Sequence, residues 1–93
     1  MKLRESRAKF WEESHAYHLD IRPLLDAEEE PFSIIMEAVH QLHKEKTLII
    51  HAYFEPLPLM KQLRLQNFST LSSKIESDHW ELKIKRLDVA ENN

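Results

Sequence analysis

Ninety-three residues with 42% apolar and 31% charged side chains describe one globular domain, with no room for a second. The chain has no cysteine, which excludes disulfides, thiolate catalysis, persulfide carriage and cysteine-ligated zinc. Its net charge of −3 repels nucleic acid and anionic membranes rather than attracting them.

Glycine is also missing. Without it no phosphate-binding loop or dinucleotide fingerprint can form, and Asn or Asp is expected at any left-handed backbone position. The N-terminus lacks the apolar core of a signal peptide, and no apolar run approaches the roughly 20 residues that span a bilayer. A cytoplasmic location is the expectation.

In chain order, residues 1–17 read as an N-terminal extension, helical if Leu3, Arg7, Phe10, Trp11 and Ser14 share one face. Its Phe10–Trp11 patch suits a cap on the domain edge or a dock for a partner. "HLDIRP" alternates as a short strand stopped by Pro23, and a loop is expected through "LLDAEEE". Pro31 then opens an amphipathic helix over 31–44, with Phe32, Ile35, Met36, Val39 and Leu42 at helical spacing.

"KTLIIHAYF" is a near-continuous apolar run, the pattern of a central strand. Pro56 and Pro58 bracket the start of a second helix with Leu59, Met60 and Leu63 facing the core, and Asn67 ends it in the left-handed role. Leu71, Ser73 and Ile75 alternate in one arm of a hairpin turned at "SDH". Trp80, Leu82 and Ile84 alternate in the other, with Trp80 on the core side. Lys83, Lys85 and Arg86 read as a charged guard on an edge strand, and residues 89–93 as a disordered tail. The order is β-α-β-α-β-β. That predicts an α/β (α+β) two-layer sandwich over residues 18–88, a mixed four-stranded sheet with two helices on one face.

"LDIRP", "EEPFSIIMEAV", "FEPLPLMKQL" and "NF…HWELKIKR" occur in the order that resembles the bacterial domain-of-unknown-function family twenty-two forty-nine, over roughly residues 18–86. The resemblance implies a fold like that of the TusA/SirA sulfur carriers and no settled activity. Those carriers hold a Cys-Pro pair where the first helix begins; here the pair is Glu30-Pro31. A carboxylate cannot carry a sulfane sulfur, so sulfur relay is excluded on chemistry.

Three constellations could carry function. In a parallel β-α-β unit the groups at the strand ends are Arg22, Glu30, Tyr53 and Glu55, with Asp20 and His51 deeper. Open α/β sheets bind ligands in that crevice, so these six residues are the candidate ligand or partner site. The plainer alternative is that Arg22 and Glu55 pair to hold the loops. His40 and His43, spaced i and i+3, could reach one metal ion from a helix, though solvated helix-end histidines explain them as well. His15 and His18 share that spacing across a strand start. His51, inside an apolar strand, reads as a hydrogen-bonded core histidine. No serine sits in a nucleophile elbow.

The sequence therefore points to a non-enzymatic binding or accessory module that takes a partner protein or small ligand at the strand-end crevice. A histidine-dependent metal-binding or redox accessory is the alternative. No catalytic residue, cofactor, nucleic acid or membrane is expected. Homodimerisation through the last strand or the N-terminal segment is left open.

Overall fold

The computed structural model describes residues 1–87. In chain order the elements are β1 Lys9–Glu13, β2 Ala16–Asp20, α1 Arg22–Asp26, α2 Phe32–His40, β3 Thr47–Ala52, α3 Leu57–Leu65, β4 Phe68–Glu76 and β5 His79–Arg86. The strands form one mixed five-stranded sheet in the order β1-β2-β3-β5-β4. β2 and β3 run parallel, as a β-α-β crossover requires, and every other pairing is antiparallel.

The mixed α+β class stands, with two corrections of detail: the sheet has five strands rather than four, and there are three helices rather than two. The extra strand lies where a helix was expected. Glu13 pairs with Ala16 across a two-residue loop, and Ser14 (φ 55°) and His15 (φ 66°) are both left-handed. Positive φ at both loop residues is the mark of a type I′ hairpin, whose twist matches the flanking strands. A strand sends neighbours to opposite faces. Phe10 accordingly stacks on Tyr17 at 5.7 Å on one side, while Trp11 stacks on His18 at 4.9 Å on the other.

The extra helix, α1, replaces the loop expected through "LLDAEEE". Pro23 sits in its first turn, where a missing N–H costs nothing. It closes with a Schellman motif: the Glu28 N–H donates to the Leu25 carbonyl, the Glu29 N–H donates to the Leu24 carbonyl, and Glu28 is left-handed at φ 59°. Asn67 (φ 70°) follows α3 in the same role, as expected.

α2 stops at His40, short of the expected 44. Arg86 reaches from β5 and donates to the carbonyls of Val39 and Leu42, satisfying acceptors freed where the helix ends. The last strand is not an edge. β5 lies between β3 and β4, so its lysines guard nothing and it offers no free side for a dimer; the edges are β1 and β4.

All three helices pack on one sheet face. Leu19, Leu48, Ile50, Leu82 and Ile84, one phase of the strand alternation, are buried against Leu24, Ile34, Ile35, Val39, Met60 and Leu63. Each such side chain contributes about 1.5–3 kcal/mol by leaving water. Trp80 shares that phase but is only half-buried. Among the described residues no helix is long and apolar enough to cross a membrane. The expected tail, residues 89–93, lies outside the described residues.

Candidate metal centre

The opposite phase of the alternation carries the polar chemistry. Register places Trp11 beside His18, Asp20 beside His51, and His51 beside Glu81. His79, two residues before Glu81 on β5, projects to the same face. The three imidazoles form a chain: His18 Nδ1 lies 3.0 Å from His51 Nε2, and His51 Nδ1 lies 2.9 Å from His79 Nε2. Glu81 Oε2 is 3.9 Å from the same His51 Nδ1. Trp11 stacks over both His18 and His51, its ring 5.5 Å from the latter.

His51 is 6% exposed, which makes it the anchor of the group. Burial pushes its pKa below the ordinary 6.5, and His18 and His79 push the same way, against the carboxylates of Glu81 and Asp20. His51 is therefore neutral at pH 7, the state in which an imidazole binds a metal. One ligand atom each from His51, His79 and Glu81 lies within 4.8 Å of the other two. An ion with bonds of about 2.0–2.2 Å sets neighbouring ligand atoms about 2.9–3.5 Å apart, so Glu81 has to turn toward the imidazoles to close the set. Two imidazoles and one carboxylate suit first-row divalent metals such as Fe(II), Co(II) and Zn(II), and leave coordination positions open.

A family model described as "Uncharacterized conserved protein (DUF2249)" matches residues 18–86. The chain belongs to this family. No curated protein and no solved structure matches it. His18, His51, His79 and Glu81 all fall inside the segment matched by the DUF2249 model, whereas Trp11 and the rest of β1 precede it.

The six residues expected to form a strand-end site in this DUF2249 chain do not converge: His51 belongs to the cluster above, and the other five are engaged locally. Arg22 makes a two-point ion pair with Asp20, with both contacts at 2.9 Å. Burial raises the Asp20 pKa, yet the hydrogen bonds and charge of Arg22 outweigh it and hold the carboxyl below its usual range. Glu30 accepts from the backbone N–H of Ser33 at 2.7 Å and from its hydroxyl at 2.9 Å, which keeps its carboxyl ionised. The Tyr53 hydroxyl donates to Asp26, and that bond raises the Tyr53 pKa. Glu55 accepts from the hydroxyl of Ser72. Neither Arg22 with Glu55 nor Glu30 with either of them forms a pair.

A crevice does open beyond the carboxyl ends of β2 and β3, with a volume of about 320 Å³. Apart from Gln62 its walls are apolar, formed by Ile21, Phe32, Ile35, Phe54, Leu59 and the prolines at the helix mouths, and they include none of the six polar residues expected there. His40 ends α2 and His43 lies beyond it, so the two do not share a helix; both are exposed. His15 lies in the β1–β2 turn, apart from His18. Of the site as assembled, sequence reading singled out His51 but missed the partnership of His18, His79, Glu81 and Trp11. The signal was there in part: His79 and Glu81 take the solvent phase opposite Trp80 and Leu82. What could not be read was the pairing of β5 with β3.

Proposed function

We propose that this chain is a metal-binding accessory domain that holds a first-row divalent ion on the open sheet face through His51, His79 and Glu81. The observation that carries this reading is the convergence of two imidazole nitrogens and a carboxylate around one point, anchored by a buried, neutral histidine. Three protein ligands are enough to hold such an ion with positions free for an exogenous ligand. Titration of untagged, metal-stripped protein with Co(II) tests it. One equivalent binds with visible d–d absorption, and H79A weakens binding at least tenfold while H40A and H43A do not. Failure to bind, or indifference to H79A, would remove the reading.

The crevice favours a second reading, a binding role at the strand ends within a carrier-like architecture that has lost its reactive atom. Its apolar walls suit a small apolar ligand. An environment-sensitive apolar dye brightens on the wild-type protein and loses that signal in Phe54→Glu; equal signals from both would remove this second role.

A further inference from the structure

We infer that His18 is a positioning residue for this metal site: it holds His51 in the one tautomer that can ligate an ion through Nδ1. The inference rests on the metal reading above and adds a residue that is not itself a ligand.

Both ring nitrogens of His51 are occupied. Nδ1 faces His79 and Glu81, and Nε2 faces His18 Nδ1 at 3.0 Å. The two nitrogens of one imidazole diverge, so His18 cannot share the ion that His51 binds through Nδ1. Nor does His18 build a second centre, because the group of three around His51 Nδ1 is the one that converges among the described residues. A neutral imidazole carries a single N–H. For Nδ1 to offer its lone pair to a metal, that hydrogen must sit on Nε2, and Nε2–H needs an acceptor.

His18 Nδ1 is that acceptor. Metal-bound histidines nearly always donate their other N–H in this way, which fixes the ring and raises its basicity. Trp11 lies over both rings, tilted by 8° to His18 and 17° to His51, and so opposes rotation of either about its χ2. In the metal-free protein the proton on the next contact belongs to His79 Nε2 and is donated to His51 Nδ1. The ion takes the place of that proton, which moves to His79 Nδ1. The exchange leaves the number of protons on the three rings unchanged.

The test separates the two claims. Long-range ¹H–¹⁵N spectra of metal-free protein labelled at histidine, assigned with H51Q, report the His51 tautomer directly. The wild type shows His51 as Nε2–H, H18L shifts it toward Nδ1–H, and H18N restores Nε2–H because Asn Oδ1 sits where His Nδ1 sat. Zinc affinity then falls roughly ten- to hundredfold in H18L and recovers in H18N. An Nδ1–H tautomer in the wild type, a flipped tautomer in H18N, or undiminished zinc affinity in H18L overturns the inference and leaves the metal reading standing. If the tautomer follows residue 18 as stated but the wild type takes up no zinc, the metal reading fails instead. Should H18L not fold, the wild-type and H18N spectra decide the matter alone.

Discussion

Glu28, Glu29 and Glu30 stand consecutively before α2, and each does something different. Glu28 closes α1 from a left-handed backbone, Glu29 pairs with Arg7 at 3.0 Å and ties down the N-terminal segment, and Glu30 binds the first turn of α2 through Ser33. The dipole of α2 accounts for the last of these; the other two depend on the turn after α1 and on the N-terminal segment packing back across it. A left-handed L-residue costs about 1–2 kcal/mol, and glycine returns about 0.5–1 of that to chain entropy. Glu28→Gly is accordingly expected to stabilise the fold by about 0.5–1 kcal/mol, read as a rise of a few degrees in Tm. His51 sets the acid response at the same scale. Its folded pKa lies below its ordinary 6.5, so the stability it confers is complete above pH 6.5 and is lost as pH falls from there through the lower folded value. Asp20, also depressed, adds a loss at lower pH, below its ordinary 3.8. Tm measured in metal-free buffers therefore falls below pH 6.5 in the wild type and falls less steeply in H51N; equal slopes would refute the assignment to His51.

At the scale of elements, legibility followed the strength of the local pattern. β3 and the β4–β5 hairpin were plain because β-formers and alternation agree there, and α2 and α3 because prolines mark their starts. β1 was not plain. With Phe10 and Trp11 its sole large apolar residues, a helical stripe and a strand alternation score alike. The loop that decides between them uses Ser14 and His15 where glycine or asparagine would have signalled a hairpin. As a strand, β1 covers the edge of β2, and its Phe10 is half-buried against Tyr17. Deleting residues 1–13 therefore exposes a sheet edge and removes that packing, and it is expected to lower Tm by about 10 °C or more. An appended segment would leave Tm unchanged.

The whole molecule divides its labour between the two faces of one sheet. The helix-covered face holds the apolar core, and its phase was readable in β3 and β5 because burial dictates which side chains must be apolar. In β4 it was not, since Leu71 pairs with Lys83 and lies exposed while Thr70 and Ser72 face the core side. On the open face polar and apolar residues mix, and although His51 read as a hydrogen-bonded core histidine, nothing in the chain paired it with His18 and His79. His18, His51 and His79 come from β2, β3 and β5, and they meet only because β5 inserts between β3 and β4. Strand order is a global property that periodicity does not encode. Parallel β2 and β3 do end at a crevice, but Asp20, Arg22, Glu30, His51, Tyr53 and Glu55 do not line it; its walls come from chain neighbours such as Ile21, Pro31, Phe54 and Pro56. Anomalous diffraction from crystals of the full chain soaked in Zn(II), measured on both sides of the zinc edge, locates the ion without ambiguity. A peak is expected about 2 Å from His51 Nδ1 and His79 Nε2, with Glu81 turned toward it. A peak at His40 or His43 alone, or none on the open face, would contradict it.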